Sequence, residues 1–234
     1  MRARQRHLNP GHLGMACAFD ARFISGLSNN DAVDTWSDRT SNGRNATQAT
    51  AAKKPTYKTG ELNGNPALSF DGGDALVTGS FTASILASAH VIFKASANGL
   101  VYERGNAFND NGNSYIYTST GYSTHFRGTS ASAYSRATDW GLGSTWRLVS
   151  HEIDGTHASH KFYINGAVQS MTSGLTANPT GSYSLPLNIG SRNDAAESAI
   201  TGSIAVVTYG PVLAGSARRR LQNSLGYSFK IACS

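Results

Sequence analysis

Two carboxylates stand two positions apart in Ser150-His-Glu-Ile-Asp154, and on a strand that spacing sends Glu152 and Asp154 to the same face. Paired carboxylates are the machinery of glycoside hydrolysis, and a retaining mechanism needs them about 5 Å apart. The surroundings argue against that chemistry. Asp154-Gly155 already opens a turn, and of the four glutamates (Glu61, Glu103, Glu152 and Glu197) no other has a carboxylate partner at a suitable spacing. The expectation is a strand end, in a protein that is not an enzyme. His151, His157 and His160 flank the same hairpin, and two imidazoles with Asp154 would be the start of a zinc site. Solvated hairpin histidines are the plainer reading. No phosphate-cradling glycine loop, nucleophile elbow or Cys–His dyad is present.

Binding chemistry is better represented. Sugars pack their CH faces on flat rings beside polar hydrogen-bonding groups, and Tyr115, Tyr117, Tyr122, Tyr134 and Trp140 lie in or near two polar, divergent stretches, 106–113 and 130–143. These five are the carbohydrate-binding candidates. The competing reading is core or edge packing of the same rings. The formal net charge is +6, with basic clusters at Arg2, Arg4 and Arg6 and at Arg218, Arg219 and Arg220. Neither cluster is interleaved with aromatics as single-strand binding requires, so nucleic acid is not an expected partner. Cys17 and Cys233 are the only cysteines. They are too few for a disulfide framework or a zinc site, and a single bridge between them is the alternative to two free thiols.

The elements that must position these residues are strands and turns. Charged residues make up only 15% of the chain and glycine numbers 25, a composition that favours turns. Asn63-Gly64, Gly72-Gly73 and Asn165-Gly166 supply the positive φ of tight turns, and Pro66 suits a strand's start or an edge. Trp36 and Phe70 read as core anchors. Met15, Cys17 and Phe19 alternate as one core-facing set. Phe81 to Lys94 reads as a long central strand with Val91, Ile92 and Phe93 buried, a short helix over Ala83 to Ala89 being the alternative. Only Ser216 to Lys230 carries a helical pattern, with Ser216 as N-cap and Leu221 and Leu225 one turn apart. No run of about 20 apolar residues offers a membrane span.

The order of these pieces resembles a known family. Ala32-Val-Asp-Thr-Trp-Ser-Asp38, Asn45-Ala-Thr-Gln48, Pro55-Thr-Tyr57, Asn63-Gly-Asn-Pro66 and Phe70-Asp-Gly72 follow one another as in the concanavalin A-like, laminin G-like domains. Tyr163-Ile-Asn-Gly166, Leu187-Asn-Ile-Gly190 and Gly202 to Tyr209 extend the likeness over residues 13 to 232. The resemblance implies an all-β fold: an antiparallel two-sheet β-sandwich, or jelly roll, with a short C-terminal helix, preceded by a basic arm over residues 1–12. Some glucanases of this fold carry Glu-x-Asp-x-x-Glu on one strand, but here the second glutamate's position is His157. The resemblance requires no cofactor. Calcium is the metal it brings to mind, held by Asp71 and Asp74, by Asn109, Asp110 and Asn111, or by Asn193 and Asp194; the competing reading is that these side chains cap their own turns.

Domains similar to this occur in bacterial surface proteins and in phage particles. The expected role is therefore a structural or binding one: a virion surface component, such as a capsid decoration, fibre or tail part, docked on other virion proteins through Arg2, Arg4 and Arg6 in a homo- or hetero-oligomeric assembly and presenting loops to host glycans. Because the first residues lack an apolar run, synthesis in the host cytoplasm is expected. A stand-alone carbohydrate-binding module, extracellular or at a cell surface, and a divergent glycoside hydrolase are the alternatives.

Overall fold

The computed structural model describes residues 13–106, 112–118, 122–127, 132–137, 143–154, 160–173, 180–192 and 198–233. In chain order the strands are β1 (Cys17–Asp20), β2 (Thr35–Trp36), β3 (Ala46–Thr47), β4 (Thr56–Leu62), β5 (Asn65–Asp71), β6 (Leu76–Thr78), β7 (Phe81–Ser84), β8 (Ala87–Ala95), β9 (Gly99–Arg104), β10 (Ser114–Thr118), β11 (Tyr122–Arg127), β12 (Ser132–Ala137), β13 (Gly143–Glu152), β14 (Lys161–Ile164), β15 (Ala167–Val168), β16 (Met171–Ser173), β17 (Ser182–Leu185), β18 (Leu187–Ile189) and β19 (Thr201–Pro211). Among the described residues one α-helix, α1 (Gly215–Phe229), follows the strands.

The strands form two large antiparallel sheets. The back sheet runs β15-β14-β13-β8-β19-β5-β4, with β1 also on β19, and the front sheet runs β16-β12-β11-β10-β9-β18-β6-β3-β2. Between them lies a core to which the back sheet contributes Phe19, Val91, Phe93 and Val207 and the front sheet Leu76, Ile116, Leu187 and Ile189. Trp36 and Phe70 are each 1% exposed, as the sequence predicts of core anchors. Burying a side chain of that size is worth about 1.5–3 kcal/mol. A two-stranded ribbon, β17-β7, joins the core through Phe81, and the Arg104 Nη2 donates to the carbonyls of Phe81 at 2.8 Å and Tyr183 at 2.6 Å.

Nearly every residue of β8 is buried because both faces of this central strand are covered. Val91 and Phe93 face the inter-sheet core, while Ile92 lies under α1 with Met15, Leu62, Leu148 and Val206. The helix presents Leu221, Leu225 and Phe229 to that outer layer, at the four-residue spacing that stacks one face. Among the described residues no helix is long and apolar enough to cross a membrane.

Several expectations are corrected. The stretch from Phe81 to Lys94 is two strands, because a break at Ile85 and Leu86 turns β7 away to pair with β17 while β8 enters the back sheet. Met15 does not share a face with Cys17 and Phe19: it precedes β1 and packs under the helix. The helix begins at Gly215, before Ser216, and no side chain caps it. The stretch 130–143 is not all loop, since β12 crosses it. Cys17 and Cys233 are free, the first in the inter-sheet core and the second against the helix on the far side of the back sheet, so the strand layer separates them.

Candidate functional site

Register places one continuous row of residues across the front sheet: Thr47 opposite Val77, Val77 opposite Asn188, Asn188 opposite Glu103, Glu103 opposite Tyr115, Tyr115 opposite His125, and His125 opposite Tyr134. Residues paired in this way share a face. Leu76, Leu187, Ile189 and Ile116 alternate with this row into the core, so Thr47, Val77, Asn188, Glu103 and Tyr115 lie on the outer face.

At the β3–β6–β18 end that face holds an open cleft of about 470 Å³, within the size of small-molecule sites. Thr47, Val77 and Asn188 lie along it, with Gln48, Thr50 and Asn106 around them. The lining side chains are hydroxyls, amides and small apolar groups, without a formal charge. They are held from behind. Gln48 donates to the Ala75 carbonyl at 3.2 Å and accepts from the Thr50 N–H at 2.8 Å, and Asn188 donates to the Gly105 carbonyl at 2.6 Å.

Beside the cleft a fully buried charge cluster fixes two connections. The Arg192 Nε donates to Glu103 Oε2 at 2.7 Å and its Nη2 to Oε1 at 2.9 Å, while Asn113 donates to Oε1 at 2.7 Å. The connection from β9 to β10 is thereby tied to the segment after β18. Gly190, in that segment, has φ of 88° and sits against the Phe70 ring, where a Cβ would clash with the ring carbons. Glu103 and Arg192 were not recognised as site residues in the sequence. The signal was a charged residue ending the apolar run Leu100-Val-Tyr-Glu103, which demands a partner once buried.

The predicted carbohydrate residues separate. Tyr115 lies in the front-sheet row but is only 8% exposed, so its ring is packing rather than an open platform. Tyr117, two positions on, is half-buried, and Tyr134 closes the row by register. Tyr122 falls in a different row, opposite Thr118 and Ala137. Trp140 lies outside the described residues, as do Asn109, Asp110, Asn111, Asn193, Asp194, His157 and the arm with Arg2, Arg4 and Arg6.

Asp71 and Asp74 do come together, as turn caps. Asp74 Oδ2 accepts the Asp71 N–H at 2.9 Å and Asp71 Oδ1 accepts the Gly73 N–H at 2.8 Å. Burial pushes the Asp74 carboxyl up to about 6. Among the described residues no group of three or more His, Cys, Asp or Glu gathers as a metal site.

Glu152 is held against the helix. It is 3% exposed and meets Arg218 of α1 at 3.0 Å, and burial raises its carboxyl pKa while the guanidinium opposes the rise. Asp154 is exposed beyond the strand end. His151 and His160 are interior rather than solvated: His151 is buried with its Nδ1 3.4 Å from the Tyr102 hydroxyl, and His160 is 8% exposed. Burial holds His151 down to about 3, with the neighbouring His160 adding to the effect.

Comparison with solved structures supports this architecture. Domain 4 of AbnA, a GH43 extracellular arabinanase from Geobacillus stearothermophilus, in complex with arabinotriose, superposes with a TM-score of 0.57 at 14% identity, over 84% of this chain and 99% of that one. The fold is an antiparallel two-sheet β-sandwich with a C-terminal helix. The binding domain of Paraclostridial Mosquitocidal Protein 1 gives a TM-score of 0.59 at 10% identity, covering 86% of this chain and 52% of that one. The Trypanosoma rangeli sialidase in complex with 2,3-difluorosialic acid gives 0.58 at 11% identity over 94% of this chain, which spans only 34% of the sialidase. No protein-family model matches the sequence, and no curated protein matches it.

Proposed function

We propose that the protein is a non-enzymatic glycan-binding module whose ligand lies on the outer face of the front sheet. The carrying observation is the uncharged cleft of about 470 Å³ beside Thr47, Val77 and Asn188. Amides and hydroxyls offer paired donors and acceptors to sugar hydroxyls, and the Val77 methyls offer an apolar patch to a sugar's CH face. The half-buried Tyr117 stands further along the same sheet. The arabinanase domain complexed with arabinotriose supports the ligand class, since nearly its whole length shares this architecture.

The test is a glycan array followed by titration calorimetry on the best ligand. Thr47 is exposed at the cleft. Thr47→Arg is expected to abolish binding without changing the melting temperature, whereas unchanged affinity in that variant would remove the front-sheet reading. Reducing-sugar release from the same ligands is expected to be nil. Release that disappears in Glu152→Gln would instead establish a hydrolase.

The setting in which such a module works is a narrower proposal. A virion surface component docked through the arm of residues 1–12 is supported by the laminin G-like resemblance and by Arg2, Arg4 and Arg6. Removing residues 2–12 is expected to abolish incorporation into particles while leaving glycan affinity intact; incorporation at the normal level would refute the docking arm. Calcium is not required by this reading, and a melting temperature that rises with calcium and falls with chelator would overturn that part.

A further inference from the structure

The helix α1 covers only part of the back sheet's outer face. Beneath it the outward residues are apolar: Ala67 on β5, Ile92 on β8, Leu148 on β13 and Val206 on β19. Beyond its edge the same strands change character. Two positions along from Ala67 and Ile92 come Ser69 and Lys94, and register sets Ser203 of β19 opposite both. The next row pairs Asp71 with Thr201. There three short hydroxyl side chains, Ser69, Ser203 and Thr201, stand beside Lys94 and Asp71, and above them lies a cleft of about 450 Å³.

Lys94 of its lining connects it to a ring and a carboxylate. Trp146, half-buried at the helix edge, carries the Lys94 ammonium 5.3 Å from its ring centre. Lys94 in turn pairs with Glu61 at 2.7 Å, and the Ser203 hydroxyl lies 3.3 Å from the same carboxylate oxygen. Serine is a poor strand former, and in a central strand such as β19 a β-branched residue would hold the sheet better. Ser69 and Ser203 keep the floor low where longer side chains would fill the hollow.

We propose that this back-sheet cleft is a second binding site, for a neutral saccharide unit. The chemistry selects that class. Lys94 and Glu61 cancel each other's charge and Asp71 leaves one negative charge over, so an anion is disfavoured while hydroxyl groups find acceptors. Ser69, Thr201 and Ser203 donate to and accept from ligand hydroxyls, and the Glu61 and Asp71 carboxylates accept further hydroxyl protons. Trp146 supplies the flat apolar surface that a pyranose or furanose CH face requires. The proposal shares its ligand class with the front-sheet reading but none of its residues, and each stands without the other.

The experiment is an amide NMR titration of the full chain with arabinotriose, maltotriose, cellotriose and mannotriose in turn. At least one is expected to shift the amides of Ser69, Lys94, Thr201 and Ser203 together with the Trp146 indole N–H. Ser203→Leu, which fills the floor, and Trp146→Ala should each weaken that response by about tenfold or more. Thr47→Arg should leave it unchanged. Should either back-sheet variant fail to fold, Glu61→Gln, at a side chain 26% exposed, replaces it and is expected to weaken the response as well. If no trisaccharide moves these amides, or if the shifts persist in Ser203→Leu, the back-sheet site is refuted. Shifts that vanish in Thr47→Arg alone refute it too, and preserve the front-sheet site.

Discussion

Glu103 and Arg192, 89 positions apart in the chain, meet as a two-point ion pair from which water is excluded. Such a pair contributes little net stability against an apolar substitute, but removing one partner strands the other's charge in the interior. Arg192→Met is therefore expected to cost about 3–5 kcal/mol in urea denaturation. Glu103→Gln with Arg192→Met together should recover a large part of that loss. A double variant as unstable as the sum of the single ones would show that the two residues act separately.

Acid should unfold the protein through its buried imidazoles. His90 and His151 are both held down to about 3, by burial first, from an ordinary value of 6.5. The unfolded chain takes up these protons below pH 6.5 while the native state does not, so stability is complete above that pH and falls as pH drops towards about 3. Asp74 works the other way: its raised carboxyl makes stability fall as pH rises from 3.8 to about 6. Glu152, also raised by burial, acts in the same direction as Asp74, but the larger shifts of the two histidines prevail, and the net slope between pH 4 and 6 is expected to be positive, on the order of 1–3 kcal/mol per histidine over the whole window. Denaturation midpoints of His90→Gln and His151→Gln across that range should show a shallower slope, and Asp74→Asn a steeper one.

The helix is clasped to its sheet by polar contacts as well as by leucines. Arg218 holds Glu152, Gln222 donates to the Ser150 hydroxyl at 2.9 Å, and that hydroxyl lies 2.8 Å from His90 Nδ1. Arg218→Ala leaves a buried carboxylate without its cation, and a loss of about 1–3 kcal/mol at pH 7 is expected. The loss should shrink at pH 4, where Glu152 without its partner takes a proton. Hydrogen exchange across residues 215–229 provides the readout, and protection equal to wild type at pH 7 would contradict the clasp.

The two thiols should differ in reactivity. Burial raises both pKa values, but Cys17 is fully enclosed while Cys233 is half-buried. Alkylation of the native protein is expected to add one label, at Cys233, and denaturant a second. Intact mass should not change on reduction. A native protein that resists alkylation until reductant is added would mean a bridge exists after all.

The fold was legible because its turns and anchors are local. Asn63-Gly64 and Asn165-Gly166 adopt positive φ at all four positions, 51° and 87° in the first pair and 50° and 85° in the second, as short side chains and glycine permit. What was not legible depends on partners distant in sequence. Glu103 finds Arg192 only through the pairing of β9 with β18, and Tyr115 is buried because of the sheet it joins, not because of its neighbours in the chain. The strand break at Ile85 was hidden for a related reason: an apolar run looks the same whether it crosses one sheet or leaves one and enters another. The front-sheet cleft drew no attention because threonine, asparagine and glutamine are equally ordinary in turns.

The position of β19 bears on how the molecule comes into being. This last strand is not an edge: it lies within the back sheet, flanked by β8 on one side and by β5 and β1 on the other. A nascent chain that has reached Arg192 still lacks the strand that completes both halves, and the open borders of β8 and β5 are templates for foreign strands. Closure of the sandwich must wait until Pro211 has left the ribosome, and it then proceeds by contacts spanning most of the chain, which is slow. Aggregation during synthesis, more than any weakness of the finished core, is the hazard that this topology sets.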